Sequence, residues 1–154
     1  LTKVGTTNNT TINNNIQLNN YGSEDLSHIT DALKTQLIKI PFVAIQKLIE
    51  KIHFNAKKPE NTNIMITNKR DNKISIFENG KWVYKNKKRT IKNIIDDKYY
   101  ILEDHYNEIP EDQLSGFNHD IYKNFSNKYE NGDRDTANKM YEDAEIIILN
   151  NQEV

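Results

Sequence analysis

The densest group of chemically capable side chains is a basic segment, residues 81–92, which reads KWVYKNKKRTIK and holds five lysines and one arginine. Cations at this density neutralise several phosphates, and the counterions released make such binding weaken with salt. Trp82 and Tyr84 lie among them, where an aromatic ring can stack on an unpaired base. In a second interpretation both rings face the hydrophobic core, and the lysines form a solvated hairpin edge that resists aggregation.

The phosphate-contacting interpretation extends to two further basic loops, because we expect the predicted meander to bring them to the same end of the sheet. The candidate nucleic-acid-binding residues are Lys57, Lys58, Lys69, Arg70, Lys81, Lys85, Lys87, Lys88, Arg89 and Lys92.

Charge is divided unevenly along the chain, although the net charge is only −1. Residues 34–92 hold fifteen bases and four acids, whereas residues 93–154 hold five bases and fifteen acids. A partner attracted by one half is therefore repelled by the other, which favours a binding module. The alternative is that the acidic half neutralises the basic half within the molecule.

The remaining reactive residue types predict no catalytic residue, no metal site and no cofactor. The chain has no Cys, which excludes thiolate zinc sites, disulfides and a thiol nucleophile. His28 and His53 occupy helical positions beside apolar stripes, which favours packed or capping imidazoles. His105 and His119 have acidic neighbours, but no spacing such as HExxH accompanies them.

Adjacent acids, such as Asp96 with Asp97 and Glu103 with Asp104, resemble nuclease carboxylates only superficially. Neighbouring residues of a helix point about 100° apart, so one ion cannot be shared by both. We therefore interpret these pairs as solvated helix faces.

At 154 residues, 36% hydrophobic and 28% charged, the chain is expected to form about one domain. No run of about 18 apolar residues and no charged-then-apolar leader occurs, which predicts no membrane contact and an intracellular location. Because the chain opens at Leu1 rather than Met, we expect it to be a piece of a longer protein.

An Asn-rich leader, residues 6–20, reads TTNNTTINNNIQLNN. Ile12, Ile16 and Leu18 are all separated by even numbers of residues, so they would lie on one face of an extended chain. This alternation predicts a strand over residues 11–19. Polar strands of this kind pair across identical chains, so we expect a homo-oligomer, a dimer or trimer, joined through these three residues. A strand of the domain's own sheet and a disordered linker are the alternatives.

The rest of the chain predicts helices around a small sheet. Ser23 is a plausible first N-cap, with a second at Thr30, and Pro41 starts the next helix. Three period-two segments, residues 63–67, 73–77 and 81–84, predict an antiparallel meander, and Asn79-Gly80 predicts its two-residue hairpin turn. Further helices are expected after Thr90, after Pro110 and, with Ala137, Met140, Ala144 and Ile147, at the end.

Three stretches carry a resemblance to a known group of proteins. They read IQLNNYGSEDLSHIT, PFVAIQKLIEKIHFNAKKPENTNIMITNKR and IFENGKWVYKNKKRTIKNIIDDKYYILEDHY, with IHFN followed by PEN.NI as the most distinctive motif. Over about residues 16–106 the chain resembles a C-terminal domain of giant nucleocytoplasmic DNA virus proteins. The resemblance implies a preceding Cys/His zinc finger and coiled coil, and a host-cytoplasm, viral-factory or virion setting. It implies no activity.

We therefore predict an α+β fold in which helices flank a three-stranded antiparallel meander. Residues 1–22 form the leader with its N-terminal Asn-rich strand, residues 23–130 the core domain, and residues 131–154 a C-terminal helix. The expected function is a non-enzymatic oligomerisation and interaction module of a viral nucleic-acid-binding protein. A cap on a homo-oligomeric stalk that binds a viral or host protein is the first alternative, and a nuclease-associated domain is the second.

Overall fold

The computed structural model describes residues 16–152, and this part of the chain contains five α-helices and one three-stranded antiparallel sheet. The helices are α1 Asp31–Ile38, α2 Pro41–His53, α3 Lys87–Glu108, α4 Gly116–Glu130 and α5 Arg134–Asn150, and the strands are β1 Ile64–Met65, β2 Lys73–Glu78 and β3 Lys81–Asn86. The predicted α+β fold is confirmed.

Local capping signals decide where the first helices begin. The Thr30 side chain accepts from the Leu33 N–H and starts α1, and Pro41 occupies the first turn of α2, as predicted. The predicted helix start at Ser23 is wrong. Residues 21–30 form two short turns joined by irregular backbone instead, because the Asn61 side chain binds the backbone N–H and C=O of Asp25 and so occupies groups that a helix would need.

Two later helices also begin at residues other than those predicted, because other side chains cap them. Helix α3 begins at Lys87 rather than after Thr90, because Asn86 accepts from the Arg89 N–H through its side chain. After Pro110 the chain makes only a short 3-10 turn, Glu111–Gln113, and Ser115 then caps α4. The N-cap preference of Asn and Ser overrides the weaker signals chosen from the sequence.

The sheet has the order β1-β2-β3 and both pairings are antiparallel. Asn79 and Gly80 join β2 to β3 with φ of 51° and 78°, the left-handed conformation that a tight hairpin turn requires. Ile74 and Ile76 of β2 and Ile64 of β1 are buried against the helices. The sheet therefore has one inner face on the core and one outer face.

A single core joins all five helices to the inner face of the sheet. Its largest fully buried side chains include Tyr99 of α3 and Tyr122 and Phe125 of α4, and α5 contributes Met140 and Ala144. The C-terminal helix thus packs within the same core. None of the helices in residues 16–152 is long and apolar enough to cross a membrane.

The end of the predicted leader strand is not a strand. Residues 16–19 have no regular secondary structure, although Ile16 and Leu18 are half-buried. The Asn19 N–H donates to Glu60 O at 2.7 Å, but residues 16–19 do not pair with another segment as a strand. Ile12 and the rest of the leader lie outside the described residues. We call residues 16–26 the N-terminal strap.

The two basic loops lie at opposite ends of the sheet, which corrects their expected proximity. Ile64 at the start of β1 pairs with Ile76, close to the hairpin turn, whereas Lys73 at the start of β2 pairs with Asn86. An antiparallel meander must alternate ends in this way. The loop of Lys57 therefore lies near the hairpin turn, away from the loop before β2.

The hairpin turn provides a test of the sheet. Replacing Gly80 with Ala adds a Cβ at positive φ, and we expect a loss of about 1–2 kcal/mol in unfolding free energy. Gly116 has an ordinary φ and open space around it, so G116A is the matched control and should change stability by less than about 0.5 kcal/mol. Urea unfolding of both variants measures the difference, and equal effects would contradict the turn assignment.

Candidate functional site

Lys87 is a buried structural cation and not part of an accessible surface. Its side chain is 10% exposed, and its Nζ lies 2.8 Å from Glu145 Oε2 and 2.9 Å from Lys69 O. Its backbone N–H also donates to Asn72 O at 2.8 Å. Lys87 therefore fastens the loop before β2 to the start of α3 and to α5, and it leaves the set of phosphate-contacting candidates.

Three other candidates pair with acids close to them. Lys58 lies 2.7 Å from Asp25 Oδ2, Lys85 lies 2.8 Å from Glu78 Oε1, and Lys92 lies 3.5 Å from Asp96 Oδ2. Of the acids in residues 93–152, those that form ion pairs with the predicted cations are Asp96 and Glu145. The acidic half thus neutralises the basic half only in part.

A group of five exposed cations remains at one end of the sheet, and we call it the basic end. Each is free of ion pairs within residues 16–152, and the group consists of Lys69, Arg70, Lys73, Lys88 and Arg89. The loop anchored by Lys87 and the pairing of Lys73 with Asn86 bring them to one place. Sequence reasoning missed Lys73, whose signal was its position opposite the end of β3.

The electrostatics of the basic end favour a bound anion. Apart from Lys87, which is paired with Glu145, the first turn of α3 carries Lys88 and Arg89 and no acid, although the N-terminus of a helix is itself positive. Like charges there repel one another and the helix dipole. Asp71, in the neighbouring exposed loop, is one acid among these cations. An added anion would relieve this repulsion.

The aromatic residues of β3 face away from the core, so the core-facing interpretation is wrong. Tyr84 is 70% exposed and Trp82 is 40% exposed, and Phe77 supports the indole edge-on with ring centroids 5.6 Å apart. The reason is the register: Val83 pairs with Ile76 on the inner face, which sends its neighbours outward.

Acids of the C-terminal half bind tyrosines. Tyr122 donates to Glu103 at 2.9 Å, and Asp96 and Asp97 accept from Tyr129 and Tyr21 respectively. The two adjacent aspartates thus point to different partners, as their helical spacing predicts. Within residues 16–152 no group of three or more His, Asp or Glu side chains is arranged to hold a metal ion.

The IHFN and PEN.NI motif residues converge on a buried hydrogen-bond chain. Lys98 Nζ lies 2.7 Å from His53 Nε2, and His53 Nδ1 lies 2.8 Å from Asn63 Oδ1. The Asn63 amide in turn donates to Glu24 Oε2 at 2.7 Å. Because the ammonium can only donate, the imidazole must accept at Nε2 and carry its proton on Nδ1. A cation is thereby linked to an anion through two neutral groups.

Burial controls the protonation of this chain. Desolvation and the neighbouring Lys98 cation hold the pKa of His53 well below its ordinary value, so the imidazole is neutral. Desolvation also lowers the pKa of Lys98 to about 8, opposed by the charges of Glu24 and Asp97. The predicted packed imidazole at His53 is confirmed, since its ring is fully buried and both nitrogens are bonded to protein groups.

The N-terminal strap covers the buried chain. The Tyr21 ring stacks on His53 with centroids 5.7 Å apart and lies 5.3 Å from Lys98 Nζ. Its hydroxyl donates to Asp97 at 2.6 Å, and Asn19 donates to the Asn61 side chain at 3.0 Å. The motif asparagines therefore bind the strap.

Comparison with protein-family models, with curated proteins and with solved structures found no match to the chain.

The buried imidazole predicts a pH dependence of stability. His53 binds a proton in the unfolded chain below about pH 6.5 but resists protonation in the fold, so stability falls as the pH drops. Between pH 7 and pH 5.5 we expect a loss of roughly 1 kcal/mol from this residue, measured by urea unfolding. H53Q should lose that part of the dependence. An equal pH dependence in H53Q and in the unmodified chain would contradict the assignment.

Proposed function

We propose that this chain is a non-enzymatic oligomerisation and interaction module of a viral nucleic-acid-binding protein, and that its basic end contacts phosphates. One observation carries the proposal: five exposed cations without ion pairs in residues 16–152 meet at the N-terminus of α3. Cations of this kind gain counterion-release free energy from phosphates, whereas cations already paired with carboxylates gain less.

The proposed contact uses only some of the candidate residues. Lys69, Arg70, Lys88 and Arg89 keep their proposed role. Lys81 is exposed near the hairpin turn and Lys57 lies in the loop at that same end, so they form a second, smaller group. The main basic surface is therefore proposed at the open end of the β2–β3 hairpin, opposite its turn, rather than along the strands.

The viral setting, in host cytoplasm, viral factory or virion, is proposed on the sequence resemblance. A homo-oligomer, a dimer or trimer, is proposed on the alternation in the leader, whose first part would pair between identical chains. The strap itself is bound within the domain through Asn19 and Asn20. Any intermolecular pairing is therefore proposed for the residues that precede it.

A second candidate function, a cap that binds a viral or host protein, is favoured by a different observation. Ile40, Phe42 and Val43 lie together at the start of α2 and are 44%, 41% and 42% exposed. Apolar side chains clustered on a surface are typical of protein contacts. Such a contact would not need the basic end, so the two functions can be separated by charge variants.

The phosphate contact is tested by charge reversal at K88E/R89E. We expect binding to a short fluorescent oligonucleotide to fall more than about tenfold at low salt, with a salt slope smaller by about two. The matched control is K47E/K123E, which makes the same charge change at exposed lysines of α2 and α4. Fluorescence anisotropy at several salt concentrations measures both. Equal effects of the two variants, or no binding by the unmodified chain, would contradict the proposal.

The oligomer is tested by removing residues 1–15, which leaves the strap and its bonds in place. We expect the mass from light scattering to fall to that of the monomer, because the proposed intermolecular strand is lost. Circular dichroism should show the same helix content in both proteins. A monomeric full chain, or an oligomer that survives the truncation, would contradict this part of the proposal.

A further inference from the structure

We propose that the outer face of the sheet binds an unpaired nucleic-acid strand, with successive bases stacked on Tyr84 and Trp82. This inference rests on the proposed function, since the phosphates of that strand would run into the basic end. It adds the class of ligand, single-stranded rather than duplex, and a second set of contacts made through bases.

The register places these rings side by side on one face. Tyr84 pairs with Ser75, and Trp82 pairs with Phe77, so the four side chains form two adjacent rows. The residues between them on the same strands, such as Ile76 and Val83, belong to the inner face. The outer rows therefore offer aromatic surface without disturbing the core.

The rings are accessible and differ in their support. Tyr84 is 70% exposed and lies opposite a small, buried serine, so its ring stands clear of the sheet. Trp82 is 40% exposed and is held edge-on by Phe77, which fixes the indole plane. A fixed ring loses little conformational entropy when a base stacks on it.

The spacing of the rings selects an unpaired strand. Side chains two residues apart on a strand lie about 6.5–7 Å apart, about twice the 3.4 Å rise between stacked nucleotides of a duplex strand. A strand must therefore unstack its bases to reach both rings. In a duplex the base faces are already stacked inside the helix and cannot reach either ring.

Charge identifies the occupant as a nucleic acid. Lys73 shares the outer face and is the diagonal neighbour of Tyr84, a relation that brings side chains within about 7–8 Å. Beyond it along the same direction lie Lys88 and Arg89 at the start of α3. An apolar peptide would gain nothing from these cations, whereas a strand stacked on the rings would place its phosphates next to them.

Trp82 supplies the assay, because it is the only tryptophan of the chain. We expect an unlabelled twelve-nucleotide single strand to quench its fluorescence, and a duplex of the same length to quench it much less. Y84A should weaken single-strand binding by about 5- to 100-fold, the effect of one lost stacking contact. The control is Y100A, which removes a tyrosine of α3 that is 51% exposed, and it should bind as the unmodified chain does.

The outcomes separate the two proposals. If K88E/R89E weakens binding but Y84A does not, and duplex competes as well as single strand, the stacking inference is wrong and the phosphate contact stands. If Y84A and Y100A weaken binding equally, the stacking inference is also wrong. If neither nucleic acid binds, both proposals fall. Selective loss in Y84A with selective quenching by the single strand supports the inference.

Discussion

The fold depends on one buried hydrogen bond, from the Lys98 ammonium to the His53 imidazole. A charge taken out of water costs several kcal/mol unless its surroundings compensate for it. Here the compensation for Lys98 of α3 comes from three other parts of the chain: α2 supplies the imidazole, the segment before β1 supplies Asn63, and the strap supplies Tyr21 and Glu24. Every one of these parts must be in place for the cation to be tolerated. The positions of α2, α3, the segment before β1 and the strap relative to one another are thereby fixed.

Hydrogen bonds made by the carboxylates explain why a cationic surface persists although the C-terminal half of the chain is acidic. Several acids of α3 and α4 accept hydrogen bonds from tyrosines, as Glu130 does from Tyr99 at 2.8 Å and Glu103 from Tyr122. Burial and these carboxylates raise the pKa of the phenols, which therefore stay protonated donors. Acids engaged in this way face the aromatic core between the helices. Two acids of this half reach the basic segment: Glu145 binds the buried Lys87, and Asp96 lies 3.5 Å from Lys92.

Sequence reasoning succeeded where a signal was local and failed where partners were distant. Pro41 and Asn79-Gly80 act through their own backbone conformation and Thr30 through a bond to Leu33, three residues away, and each was predicted correctly. The predicted helix start at Ser23 does not form, because the side chain of Asn61, almost forty residues away, binds the backbone of Asp25. No local sequence pattern reveals such a contact. Period-two alternation showed that Trp82 and Tyr84 share a face but not which face is buried, since that depends on the helices opposite. The pairing of Lys87 with Glu145 was equally invisible, because it joins residues of two elements distant in sequence.

The strap has a consequence for how the chain is made. Tyr21 and its partner Asp97 are 76 residues apart. At translation rates of about 5–20 residues per second, roughly 4–15 s pass between the synthesis of the first and of the second. During that interval the strap can reach its partners in residues 53–80, such as Asn61 and Gly80, but not Asp97 and Lys98 of α3. Closure of the domain is therefore completed late, once α3 has emerged.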